Sequence, residues 1–170
     1  NNVILDNDWQ KKPSFVPQNV LDIWILTRLK QVVGSTAQNL DNKNAFSATE
    51  EIESFVNDFS TWYIRRSRDR VGPSALNKEY RDDCYQTFQY VFEVLSVILS
   101  PFMPFMSELI YSNITGEESV HLTNWPQSTE ITESELALIS QMESVRSIVE
   151  LGHAQRKTIG IAVKQALASI

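Results

Sequence analysis

FVNDFSTWYIRRSRDR, residues 55–70, is the stretch on which the reading of this chain turns. Its first half places Phe55, Phe59, Trp62 and Tyr63 at helical spacing on one face. Its second half carries Arg65, Arg66, Arg68 and Arg70, four of the fifteen Lys and Arg residues in the chain. An aromatic stripe belongs against a core, and a basic cluster belongs in water. A helix with both must pack along one part and present a charged end, so the other segments have to supply the surface it packs on. At about 100° per residue the four arginines cannot share one face; they suit the last helical turn and the loop after it.

Working outward, Ser47 and Glu50 have the spacing of a capping box. They predict a helix from about Ala48 to about Arg66, stopped by Gly72-Pro73. Before it, Asn19 is an N-cap candidate for a helix with Leu21, Ile25, Leu29 and Val32 in one row and Val20 and Trp24 in a second. Two apolar rows mean a wide buried face. Gly34 weakens that pattern, and a turn is expected over 40–44. After the arginines, Asn77 can cap a helix in which Cys84, Phe88, Val91, Leu95 and Ile98 follow the 4-3-4-3 spacing of a bundle seam. Ser100-Pro101 ends it. A short helix follows, with Phe102, Phe105, Met106, Leu109 and Ile110 expected inward and Gly116 as its terminating glycine. SVHLTNWP (119–126) reads as an irregular segment anchored by Trp125. Thr132 and Glu135 form a second capping box, opening a helix with Leu138, Met142, Val145, Val149 and Gly152 in one row. After Lys157 the period changes: Ile159, Ile161 and Val163 alternate with Gly160, Ala162 and Lys164, as in a strand whose sheet is expected beyond Ile170. The expected fold is an all-α bundle of about five helices with a β segment starting near the C-terminus. Residues 1–18 read as a linker or N-terminal arm, 19–157 as the helical domain, and 158–170 as the start of a truncated junction region.

Composition excludes several function classes. With 42% hydrophobic and 21% charged residues in 170, the chain can form a globular core. No apolar run approaches the ~20 residues of a membrane span. The single Cys84 rules out an internal disulfide and a multi-cysteine zinc site. A net charge of -6 argues against a generally basic nucleic-acid coat. The charge is uneven, however: residues 116–150 hold Glu117, Glu118, Glu130, Glu133, Glu135, Glu143 and Glu150 against Arg146, whereas 151–170 hold Arg156, Lys157 and Lys164 without an acid.

No arrangement for catalysis is found. The five glycines stand too far apart for a phosphate loop. His121 and His153 lack a second ligand at metal spacing, and a packed or surface histidine is the favoured reading for both. Asp82-Asp83 and Glu117-Glu118 are adjacent, so each pair points to different helix sides and is read as solvated. Cys84 lies on the bundle seam and reads as a small buried hydrophobe. Basic residues beside aromatics remain. Arginines at 65, 66, 68 and 70 can bind phosphates and stack on unpaired bases; equally, cations at a helix C-terminus complement its dipole. For Trp62, core packing is favoured over base stacking. Arg156, Lys157 and Lys164 form a second basic cluster, and two clusters flanking an acidic stretch allow a two-point grip on a polyanion. The alternative is a helical protein-interaction module, with the aromatic stripe meeting a partner helix and an exposed apolar patch on the surface.

Five segments in order resemble the C-terminal helical domain of class I aminoacyl-tRNA synthetases: NVLDIWILTRL (19–29), WYIRRSRDR (62–70), SPFMPFMSELIY (100–111), SVHLTNWP (119–126) and AQRKTIGIAVKQAL (154–167). Together they span nearly the whole chain. Within the class, the arginines after Trp62-Tyr63 and the IGIAVKQAL ending look most like the isoleucyl type, with the valyl type the nearest relative. The resemblance implies a domain that binds the anticodon stem and loop of isoleucine tRNA in a cytoplasmic enzyme. Arg65, Arg66, Arg68, Arg70, Arg156, Lys157 and Lys164 are the residues expected at the tRNA. It also implies a parent chain with a catalytic domain that uses ATP and Mg²⁺ and with an editing domain. The HIGH and KMSKS motifs that carry the ATP-dependent chemistry do not occur in these 170 residues, so this chain by itself is not expected to aminoacylate. The family ending is more basic, of the type I-K-V-R-Q-P-L; here Ala162, Lys164 and Ala166 replace its Lys, Arg and Pro.

Overall fold

A computed structural model describes residues 15–71, 78–163 and 165–166. The chain forms two compact units, Asn1–Ile131 and Thr132–Ile170. The first holds α1 (Val20–Asp41), α2 (Ala45–Asn57), a π-helical segment (Asp58–Tyr63), α3 (Ile64–Val71), α4 (Lys78–Leu99), α5 (Pro104–Thr115) and a 3₁₀ turn (Val120–Leu122). The second holds α6 (Glu133–Thr158). From Ala45 to Val71 the helical path is continuous, so the expectation of an α-helical bundle of about five helices holds.

The starts and stops of these helices are mostly local chemistry. The extended Asn19 accepts a hydrogen bond from the Leu21 N–H at 2.9 Å, as an N-cap should. After α1, Lys43 takes a left-handed conformation with φ 59° and turns the chain back. Asn44 then caps α2 by accepting from the Ser47 N–H at 3.1 Å. The cap therefore lies three residues before the predicted Ser47: the left-handed turn makes Asn44 the first residue whose side chain faces the free N–H groups. The expected stop at Gly72-Pro73 and cap at Asn77 lie outside the described residues.

Trp24, Ile25, Leu29, Val32 and Val33 on α1 are buried, as the two-row pattern requires, although Val20 is exposed. They pack with Ile52 and Phe55 of α2 and with the predicted α4 seam, of which Cys84, Val91, Leu95 and Ile98 are buried and Phe88 half-buried. Gly34 continues α1 without breaking it. A Cβ there would stand 3.0 Å from Ser128 Oγ, so glycine lets the 123–131 segment lie close to the helix. Trp125 within that segment is half-buried.

α5 turns a different face inward from the one its apolar residues suggest. Ser107 and Tyr111 are buried, Tyr111 with Val97 and Val120, while Phe105 is 92% exposed and Met106 and Leu109 also face solvent. Phe102 and Ile110 are half-buried. A small serine lets α5 approach α4 closely, and the bulkier row lies on the opposite side of the helix. Glu108 reinforces this orientation by accepting from Ser119 Oγ at 2.9 Å and the Val120 N–H at 3.0 Å. Gly116 ends the helix at φ 74°, as predicted.

In the second unit, Thr132 and Glu135 form the expected reciprocal capping box. Of the predicted apolar row on α6, Met142 is buried, Leu138 and Val149 are half-buried, and Val145 and Gly152 are exposed. The predicted strand over 159–163 is not formed among the described residues. The Ile159 N–H bonds back to the Gln155 carbonyl, Gly160 adopts φ 71°, and the chain turns. Alternation alone does not make a strand; a ladder of partner N–H and C=O groups is needed, and α6 offers none. No helix among the described residues is long and apolar enough to cross a membrane, and none of their His, Cys, Asp and Glu side chains gather in a group of three that could hold a metal ion.

Candidate nucleic-acid interface

The 55–70 stretch is built around a stack of rings. Phe55 and Phe59 lie 6.2 Å apart at 8°, and Phe59 and Tyr63 lie 5.6 Å apart at 14°. Phe88 and Phe92 of α4 meet Phe59 edge-on at 5.8 and 5.4 Å, the offset geometry that ring quadrupoles favour. In an α-helix, residues four apart overshoot a full turn by about 40°. The wider turn over Asp58–Tyr63 removes much of that overshoot, so rings four residues apart stay in line. It also moves Trp62 to the rim, where it is half-buried with the Arg66 guanidinium 4.7 Å from its ring centroid. The expectation that Trp62 belongs to the core stripe is thus only half met.

Beyond the π segment, Arg65, Arg66 and Arg68 are exposed on α3. Arg70 is not exposed with them. Its Nη1 and Nη2 donate to Asp22 Oδ1 and Oδ2, both at 2.6 Å, and Nη2 also donates to the Tyr80 carbonyl at 3.3 Å. Tyr63 donates its hydroxyl hydrogen to Asp22 Oδ1 at 2.6 Å and lies 3.6 Å from Cys84 Sγ. Asp22 is 0% exposed. Burial and the charges of Cys84 and Asp22 push the Tyr63 phenol far above its ordinary range. Burial raises the Cys84 thiol too, against the pull of the Tyr63 hydrogen bond and Arg70. For Arg70, burial works downward, but the Asp22 hydrogen bonds together with the charges of Cys84, Asp22 and Tyr63 outweigh it and its pKa rises. The guanidinium is therefore a permanent cation facing a carboxylate across a bidentate fork. A second ion pair joins α1 to the start of the π segment, Arg28 Nε to Asp58 Oδ2 at 3.1 Å. Three arginines are thus displayed on a short helix whose ends are tied to α1.

Residues 22–170 match the family described as the anticodon-binding domain of tRNA ligase. The chain belongs to this family. Among curated relatives, an isoleucine–tRNA ligase from Clostridium kluyveri is 36% identical over 166 residues, covering 92% of this chain and 16% of that protein. Isoleucine–tRNA ligases from Clostridium tetani and Deinococcus radiodurans are each 34% identical, over 92% and 96% of this chain and 15% of their own length. The chain spans about one-sixth of the curated relatives it matches.

In this anticodon-binding domain the second basic cluster divides. Lys157 is exposed in the last turn of α6. Arg156 is half-buried, and its Nη1 donates to the carbonyls of Ala162 at 2.9 Å and Gln165 at 2.8 Å, fastening the turn after the helix. Lys164 lies outside the described residues. Arg65, Arg66 and Arg68 fall in the first unit, and Arg156 and Lys157 in the second. Asp22 was not among the residues picked out from sequence. Its signals are its place in the 19–29 segment and a carboxylate set among Leu21, Ile23, Trp24 and Ile25, but an acid in the first turn of a helix is ordinarily read as solvated and complementary to the dipole.

Proposed function

We propose that this chain binds the anticodon stem and loop of isoleucine tRNA and helps position that tRNA for aminoacylation. The ATP- and Mg²⁺-dependent step belongs to catalytic domains outside this sequence, and the setting is cytoplasmic. The observation that carries the reading is the display of Arg65, Arg66 and Arg68 on α3, in a chain of the anticodon-binding family whose relatives are named isoleucine–tRNA ligases. Exposed guanidinium groups suit phosphates and the faces of unpaired bases. The Arg66–Trp62 pair adds a flat cationic surface at the helix rim. Lys157 is the contact proposed in the second unit. Arg70 and Arg156 hold their own chain and are proposed to act only through it.

The test is binding of isoleucine and valine tRNA transcripts over a salt series. Arg65→Ala, Arg66→Ala and Arg68→Ala are each expected to weaken binding and, where a phosphate contact is lost, to lower the salt slope by about one. Parent-like binding by all three variants would remove α3 as the contact. Tighter binding to valine tRNA would move the assignment to the valyl type. A second reading, protein docking, is favoured by the exposed Met103 at the N-cap of α5 and by the exposed Phe105, Met106 and Leu109 within it. It does not involve the aromatic stripe, whose Phe55, Phe59 and Tyr63 are buried. That reading predicts no tRNA affinity at any salt concentration.

A further inference from the structure

We propose that Asp22 is a positioning residue for the tRNA contact, which it sets by holding Arg70, and that Arg70 is not itself a contact. The inference rests on the reading of Arg65, Arg66 and Arg68 as RNA-facing and adds what keeps them in place. α3 has eight residues, and Ser67 is its only buried one. It is the free end of the helical path that runs unbroken from Ala45, and with so little burial, that end is held only weakly by apolar packing. Polar ties to its end include the Arg70 fork on Asp22, the Arg70 contact with the Tyr80 carbonyl, and the Tyr85 hydroxyl donating to the Val71 carbonyl at 3.4 Å. The fork is much the shortest, and its two parallel bonds fix rotation as well as distance.

Asp22 is anchored independently of α3. It sits buried in the first turn of α1, and Tyr63, 0% exposed, donates to the same Oδ1 that Arg70 uses. Tyr63 is in turn locked between the rings of Phe59 and Phe88. Tyr63 and Asp22 thus form a fixed acceptor, and Arg70 closes the helix onto it. This pins the end of the helix in the phase, set by the π segment, in which residues 65, 66 and 68 point to solvent.

Electrostatics and positioning predict opposite signs for one substitution, which makes the proposal testable. Asp22→Asn removes a negative charge near a polyanion site. If Arg70 were a phosphate contact held back by Asp22, this change would free it and tighten binding. If Asp22 positions α3, the same change loosens the arginines and weakens binding. Affinity of the full chain for an isoleucine tRNA transcript is measured over a salt series, at a temperature where circular dichroism shows each variant folded. Asp22→Asn is expected to weaken binding about tenfold and to lower the salt slope by about one or more, although Asp22 touches no RNA. Arg70→Lys keeps the charge without the fork and should give the same loss. The double variant should be no worse than either single, as in a coupled pair.

Parent-like or tighter binding by Asp22→Asn, or full affinity in Arg70→Lys, overturns the proposal. If Asp22→Asn does not fold, Arg70→Lys and Tyr63→Phe decide by the same criteria. Arg65→Ala, Arg66→Ala and Arg68→Ala run alongside. If all three bind as the parent does, the RNA reading fails and the proposal falls with it. If they weaken binding while the Asp22 and Arg70 variants do not, only the positioning role is lost.

Discussion

Tyr63 and Cys84 meet in a pocket of the core that also holds Asp22 and the end of Arg70. Both groups are neutral when protonated, and burial raises both pKa values in the folded chain. In the unfolded chain the thiol ionises near pH 8.5 and the phenol near pH 10. Below those values both states hold the protons and stability is unaffected. Above them the unfolded chain binds fewer protons than the folded one, so stability falls as pH rises. Urea unfolding is therefore expected to give a flat midpoint from about pH 6 to 8 and a decline above about pH 9. Cys84→Ala should remove the earlier part of that decline and leave the later, phenolic part. An unchanged alkaline profile in Cys84→Ala would show that the thiol is not held protonated. Arginine is where residue-level reading from sequence reached its limit. All four of the cluster look alike in the run, yet one closes on a carboxylate 48 residues away.

At the scale of elements, the π segment sets the phase of everything after it. Asp58 at its start pairs with Arg28, and Tyr63 at its end reaches Asp22. Ser60 lies between them and is exposed. Ser60→Ala, a surface change, is expected to alter stability by no more than about 0.5 kcal/mol. Deleting Ser60 removes one residue from a π turn and leaves an α turn, which shortens the Phe59–Tyr63 spacing from four residues to three and takes the Tyr63 ring out of line with the stack. That deletion should cost several times more than the substitution in denaturant unfolding, despite the exposure of the residue removed. Similar losses from deletion and substitution would mean that the wide turn is not needed. Helix boundaries were legible where one side chain near the terminus decides them, as at Asn19, Gly116 and Thr132. Asn44 was missed because its role depends on the backbone of Lys43, which composition does not reveal.

For the molecule as a whole, the bundle and its principal seam were legible because they rest on many residues repeating at a helical period. The inward face of α5 was not, because apolar content there favours the wrong side. The structure predicts that Phe105→Ser changes thermal stability by no more than about 0.5 kcal/mol, whereas Trp24→Ala, a truncation in the core, costs roughly 3–5 kcal/mol. A loss for Phe105→Ser as large as for Trp24→Ala, read from denaturant midpoints, would put Phe105 in a core. The terminal alternation at 159–163 shows the same limit: period two suggests a strand, but a strand exists only with a partner.

The sequence by itself determined that this is a helical bundle of the anticodon-binding family, and where several helices begin and end. Those features arise from periodicity, caps and turn residues acting over a few positions, and from five segments in a shared order. Only the tertiary structure decided which arginines face solvent, which side of α5 is inside, and that Asp22 lies beneath the basic helix. These outcomes depend on side chains far apart in sequence meeting at hydrogen-bond distance, and on the wide turn at Asp58–Tyr63 that brings them there.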